Sequence, residues 1–360
     1  MRAILAAAFV LTACASVDAP SAPNALSDNA AVWLAEQQVA SVAIAAIEDG
    51  EVAWTAAYGE RAPGRSARTD TLYNVASLAK PVSAEIMLRL ASMGDLDLDA
   101  PMSRYWVDPD LAADPRRDAL TLRVALSHRT GFANWRRMTG GVLRFERAPG
   151  QTFTYSGEGY EYARRYVSRA VGEDFEVLAE RNVFAPIGMH DTTYTSRPWL
   201  AARMALPYLE SGDVGEPSIN ERGEMLASDD LYTTVADYAR FVIAVMNHEG
   251  LSDEIAQQRF QYDVELRDGG CGPQGLAEEV CPDGVGMGLG WMVLRYGDQT
   301  VMSHSGSDVG EQTLAFFIPE QRRGLVVFTN SANGRKIFPL VAEIVFPSHP
   351  YNALLRLQAR

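Results

Sequence analysis

The stretch "DTLYNVASLAKPVSAEIMLRLASMG", residues 70–94, places a serine and a lysine three positions apart where a helix begins. After Pro81, the apolar residues Val82, Ile86, Met87, Leu90 and Met93 recur at helical spacing, and Gly94 is suited to end the helix. Proline is tolerated in a helix's first turn, where no N–H bond is lost, so Pro81 puts the helix start close to Ser77. Ser77 then lies at the positive end of the helix dipole, which favours developing negative charge. Lys80 returns to the same face, within reach of the Ser77 hydroxyl. A hydroxyl needs a base to become a nucleophile, and a desolvated amine can be one. Taken alone, Ser-x-x-Lys reads as a capping serine followed by a solvated lysine.

Two further polar stretches decide between these readings. Thr154-Tyr155-Ser156-Gly157 follows the turn "RAPGQTF", and Ser303-His304-Ser305-Gly306 ends a late strand. Three such elements in this order, with Ser-x-x-Lys first, are the layout of penicillin-recognising serine enzymes. The chain resembles the serine β-lactamase-like superfamily, in its class C β-lactamase, DD-carboxypeptidase and esterase branch. "LSHRTGF" (126–132), "APGQTFTYSGEGY" (148–160), "PIGMHDTTY" (186–194), "LYTTVADYARFV" (231–242) and "GLGW" (288–291) extend the resemblance over roughly residues 30–346.

The resemblance implies that Ser77 is the acylated nucleophile, Lys80 its proton acceptor or relay, and Tyr155 a second proton-transfer group. It implies an oxyanion hole formed by the backbone N–H groups of Ser77 and Ser307. His304, Ser305 and Gly306 would line the substrate groove on an edge strand. Two positions depart from the lactamase pattern. Gly157 stands where those enzymes carry asparagine, and so lacks the amide that contacts a substrate carbonyl. His304 stands where they carry lysine, and a neutral imidazole attracts a carboxylate less than a fixed cation does. Both departures favour a D-amino-acid peptide or a short acyl ester over a β-lactam. The alternatives are a class C type β-lactamase, a penicillin-binding or peptidoglycan-sensing protein that is acylated without turnover, and an inert scaffold. The implied partner is a small-molecule or peptide substrate, cell-wall derived fragments among them, and no cofactor is implied.

The fold expected is α/β (α+β): an antiparallel sheet with helices on both faces and a mostly helical lobe inserted mid-chain, about residues 97–230. "SVAIAAIEDGEVAWTAAYG" reads as two strands joined at Asp49-Gly50. "GLGWMVLRYGDQTVMSH" and "TLAFFIPEQRRGLVVFTN" each read as two more, and "FPLVAEIVF" as a closing helix. Between them helical periodicity dominates, clearest in "TTVADYARFVIAVMN", with Thr234 as N-cap and Asp237 three residues on. The hydrolase domain is expected over residues 29–346, with a tail at 347–360.

The 360 residues include 32 Lys plus Arg against 46 Asp plus Glu, a formal net charge of −14. Such a chain repels nucleic-acid phosphates and anionic lipid surfaces, so neither is an expected partner. "MRAILAAAFVLTACASVDAP" reads as an export signal: Arg2, then an apolar run too short to span a bilayer. Leu11-Thr12-Ala13-Cys14 resembles a lipobox, which makes Cys14 a lipidation site, the sole membrane attachment expected, on a periplasmic protein. An ordinary signal peptide cut at Ala13-x-Ala15 is the alternative. Residues 15–28 read as a tether. Cys271 and Cys281 then remain as one disulfide closing a short loop. No H-E-x-x-H spacing offers a zinc site, and no G-x-S-x-G elbow offers another nucleophile. His128 reads as a structural loop or cap residue, and His190, His248 and His349 as surface or loop residues.

Overall fold

The computed structural model describes residues 21–266, 271 and 277–360. Asp49 and Gly50 both hold positive φ, 53° and 77°, a turn whose twist matches that of the strands it joins. β1 (Ser41–Glu48) and β2 (Glu51–Ala62) therefore form an antiparallel hairpin, continued by the short β3 (Arg65–Ser66). A separate two-stranded ribbon joins β4 (Tyr73–Asn74) to β5 (Tyr232–Thr233). The later strands are β6 (Val264–Glu265), β7 (Gly284–Met287), β8 (Met292–Tyr296), β9 (Gln299–Asp308), β10 (Glu311–Ile318) and β11 (Arg323–Thr329). They complete an antiparallel sheet of order β3-β2-β1-β11-β10-β9-β8-β7-β6, in which the early β1 pairs with the late β11.

Successive side chains of a strand point to opposite faces, and here both faces are covered. On β1, Val42, Ile44 and Ala46 pack with Leu26, Leu34, Val341 and Leu354 in one core. Ala43, Ala45 and Ile47 pack with Leu78, Val82 and Phe241 in the other. The unbroken apolar runs within β1, β10 and β11 are thus explained by burial on both sides. The first face carries the helices Asn24–Gln37, Phe338–Val345 and Tyr351–Gln358; the second carries Ala79–Ser92 and Val235–Met246. Thr234 caps the latter as expected, its side chain accepting from the Asp237 N–H.

Two boundaries differ from expectation. The last residues of the expected tether are already helical, because Leu26, Ala30 and Leu34 form a buried i, i+4, i+8 stripe. The expected C-terminal tail contains a docked helix, Tyr351–Gln358, with Tyr351, Leu354 and Leu355 buried. The inserted lobe is helical where it is regular. Gly157–Val171 is its longest helix; Leu122–Leu126 and Phe175–Ala179 are single short turns, with long irregular connections between. Pro101, Pro109 and Pro115 each hold the chain at the start of a short 3-10 turn, which explains why periodicity there did not become long helices. Among the described residues no helix is long and apolar enough to cross a membrane.

Candidate active site

Ser77 sits in a 3-10 turn, Ala76–Leu78, that runs directly into the Ala79–Ser92 helix, with Pro81 in that helix's first turn. The turn is strained and held. Ala76 has φ 48°, which a β-carbon disfavours, and the Asn74 side chain accepts from its N–H at 2.9 Å. Val75 is pinned on both sides: its N–H donates to Leu231 O at 2.9 Å, and its carbonyl accepts from Thr313 Oγ1 at 2.8 Å. Lys80 is fully buried, and its Nζ donates to Ser77 Oγ at 2.9 Å and to Ser228 O at 2.8 Å. The helical spacing thus brings amine and hydroxyl together. Nζ also lies 5.0 Å from the ring centre of Tyr155, so the three expected groups share one centre.

β9 has a partner on each side only as far as Ser303; beyond it, β10 alone pairs with residues 304–308. The open half of β9 borders the cleft through His304, Ser305 and Ser307. Gly306 does not line it, contrary to expectation. It is buried, and a β-carbon there would overlap Val75 O and Thr313 Oγ1 and lie 3.1 Å from Ser77 N. Its bare backbone is what lets β9 approach the Ser77 turn. That approach brings the Ser77 and Ser307 segments to one wall. Ser77 N–H belongs to a first turn, where amides have no partner within the helix.

Gly157 is also displaced from its expected role. It starts the Gly157–Val171 helix beneath Trp135, and a β-carbon there would lie 2.8 Å from the indole, so Trp135 rather than the open cleft lies over it. The amide that the sequence lacks at Gly157 is offered by another segment: Asn134 lines the cleft on both sides of Ser77. Its Oδ1 accepts from the Gly157 N–H at 2.8 Å. Sequence reading missed Asn134, since its only signal was a position 23 residues before Gly157. His304 is buried, and its Nδ1 bonds to Ser305 O at 2.9 Å. Desolvation, with Lys80 close by, lowers its pKa to about 3, so its ring is neutral at physiological pH.

Asp229 was another omission. It shares the cleft with Ser77 and follows Ser228, whose carbonyl holds Lys80. The carboxylates of Asp229, Asp230 and Asp308 gather within 4.8 Å of one another. Burial raises Asp229 to about 7, against the pull of Lys80 and with the push of Asp230 and Asp308. An acid whose pKa is raised on folding keeps its proton in the native state while the unfolded chain ionises. Stability from this group therefore falls as pH rises from about 4 to about 7. Asp229→Asn should match wild type near pH 4 and exceed it at pH 8 by on the order of 1–4 kcal/mol. Denaturant midpoints at the two pH values check this, and an equal gap at both would refute it.

Cys271 and Cys281 form a disulfide, with Cα atoms 5.9 Å apart. Cys14 and the export signal lie outside the described residues. Of the other histidines, His128 is fully buried and stacks on Tyr155, while His248 and His349 lie in loops.

The Beta-lactamase family model matches residues 26–345. The chain is 26% identical over 333 residues to unguisins hydrolase ungD of Aspergillus violaceofuscus, covering 82% of this chain and 59% of that protein. It is 24% identical over 308 residues to the D-alanyl-D-alanine-carboxypeptidase/endopeptidase AmpH of Escherichia coli, covering 79% and 78%. Esterase EstB of Burkholderia gladioli is 31% identical over 203 residues, covering 47% and 50%. The chain thus spans less than two thirds of the first and third of these proteins. In fold it matches the octameric penicillin-binding protein homologue from Pyrococcus abyssi (TM-score 0.75, 19% identity, 91% of this chain and 78% of that one). It also matches the D-alanine carboxypeptidase AmpC from Burkholderia cenocepacia (TM-score 0.71, 19% identity, 94% and 98%).

Proposed function

Because this chain belongs to the Beta-lactamase family, we propose that it is a serine hydrolase working through an acyl-enzyme on Ser77, with an uncharged acyl ester or a D-amino-acid peptide as donor. Lys80 takes the proton as Ser77 Oγ attacks the carbonyl. The N–H groups of Ser77 and Ser307 receive the oxyanion. Tyr155 passes a proton to the leaving group, and water then releases the acyl group by the reverse relay.

The observation that carries the substrate ranking is the cavity of about 340 Å³ beside Ser77. Phe153, Met287, Met292 and Leu314 give it apolar walls, His304 is neutral, and among the described residues no arginine or lysine lines it, Arg136, Arg137 and Arg165 bordering the other side of the cleft. A free carboxylate entering there would lose its water without meeting a cation. Esters with an apolar group are therefore ranked first, ahead of peptides ending in a carboxylate and ahead of β-lactams. The Cys271–Cys281 disulfide fits an oxidising compartment, which supports export to the periplasm. Anchoring through Cys14 rests on the sequence alone.

Mass spectrometry after separate exposure to a fluorophosphonate, a penicillin, a D-alanyl-D-alanine peptide and a short acyl ester tests the reading. A Ser77 adduct with the fluorophosphonate and fastest turnover of the ester are expected. Rapid penicillin hydrolysis would reverse the ranking, stable penicillin acylation without turnover would favour a sensing role, and no adduct with any reagent would end the mechanism.

A further inference from the structure

Tyr155 is held by one residue at three consecutive positions. The Thr154 N–H donates to the carbonyl of His128 at 2.7 Å. The Ser156 N–H donates to the His128 ring at Nδ1, 3.1 Å away. Between them, the Tyr155 phenol lies flat on the imidazole, ring centres 4.3 Å apart and planes inclined by 28°.

His128 is itself fixed. It is fully buried, has φ 55°, and donates its own N–H to Ala125 O at 3.1 Å. Its ring meets Tyr160 at 5.1 Å and the edge of Phe153 at 5.9 Å. Tyr160 in turn donates to Leu126 O at 3.1 Å. Because Nδ1 accepts from Ser156, the neutral ring carries its proton on Nε2, and Nε2 is buried with no partner among the described residues. Burial, then Lys80 from the Ala79–Ser92 helix and His304 from β9, oppose its protonation and outweigh the Ser156 backbone bond, so the ring against the phenol stays uncharged.

We propose that His128 is a positioning residue that clamps the Tyr155 phenol in place for proton transfer. The inference rests on Tyr155 being the second proton-transfer group. A buried histidine that merely filled space would need neither the bond to Ser156 nor a left-handed backbone, which costs about 1–3 kcal/mol for a residue with a β-carbon. Together the carbonyl, Nδ1 and ring face set the height, rotation and tilt of the phenol. Displacing a catalytic group by about 1 Å can cost on the order of 10²-fold in rate.

The test is a double-mutant cycle between position 128 and Tyr155→Phe, with the short acyl ester as substrate. His128→Phe keeps a ring but removes the Nδ1 acceptor. His128→Asn tolerates the left-handed backbone and keeps an acceptor, but removes the stacking face. In the Tyr155 background each should lower kcat by about 10–100-fold and change KM by less than about 3-fold. In the Tyr155→Phe background the same changes should cost less than about 3-fold, because no proton remains to be positioned. Fluorophosphonate labelling of Ser77 reports whether each variant is folded, and a variant that fails to label leaves the other to decide. Equal losses in both backgrounds would make His128 a general structural residue and overturn the clamp, as would full activity of both variants. If Tyr155→Phe alone is fully active, the role of Tyr155 falls first and the clamp falls with it.

Discussion

Ser77→Ala is expected to abolish ester hydrolysis and fluorophosphonate labelling while leaving the unfolding midpoint near that of wild type. The substitution removes one partly exposed oxygen whose contact is the bond from Lys80 Nζ, and Lys80 keeps its bond to Ser228 O. Nothing in the core changes volume. Lys80→Ala should be nearly as severe, since it strips the base from a hydroxyl that is a poor nucleophile on its own. Losses of roughly 10⁴–10⁶-fold are typical when a member of a coupled nucleophile–base unit is removed. Because the two residues act as one unit, the double variant should be no slower than Ser77→Ala. Steady-state hydrolysis and intact-protein mass after labelling measure both effects. Retained turnover in Ser77→Ala would remove the nucleophile from the mechanism, whatever the substrate.

The second large effect is expected at Tyr155. Tyr155→Phe keeps the ring that stacks on His128 at 4.3 Å and lies 5.0 Å from Lys80 Nζ, so packing at the site is conserved. A fall in rate must then come from the missing oxygen. General acid–base groups typically contribute about 10²–10⁴-fold, and kcat for the ester should drop within that range. If the phenol serves the water step as well as the leaving group, rapid-quench mass spectrometry should find acyl-enzyme accumulating on Ser77. A variant within about 3-fold of wild type would reduce Tyr155 to a wall of the cleft.

The parts of this site that were legible in the sequence are those whose geometry is local. Ser77 and Lys80 are three residues apart at a helix start that Pro81 marks, so the amine is within reach of the hydroxyl, and the two later polar stretches decided for that reading over a capping serine. Asp49-Gly50 specifies its hairpin through two backbone angles that few residue pairs adopt. Period-two and unbroken apolar runs identify the strands, and burial on both faces of β1 follows from having no polar face to expose. The expected roles of Tyr155 and of the His304-Ser305-Gly306 stretch were reached through resemblance to a motif order, which carries no distances.

Expectations failed where a residue's role depends on what arrives from far along the chain. Gly157 looked like a substrate contact missing its amide, but Trp135 covers it and Asn134 supplies an amide to the same cleft. Gly306 looked like cleft lining, yet it is the spacer that lets β9 pass Val75 and Ser77, about 230 positions earlier. Residues 351–358 looked like a tail, yet Tyr351 joins Ser303 by a hydroxyl bond of 2.6 Å and Gln358 borders the cavity.

By itself, then, the sequence put Ser77 and Lys80 on one helix face and set out the strands and the helix starts, because each is written in residues less than a turn or a strand apart. Only the tertiary structure decided that Asn134, His128 and Asp229 face the same chemistry. Their contacts join the segments around residues 77–80, 128–134, 155–157, 228–230 and 304–308, which are far apart in the chain. Such contacts follow from how two cores pack against the faces of one sheet, and packing leaves no spacing in the sequence to read.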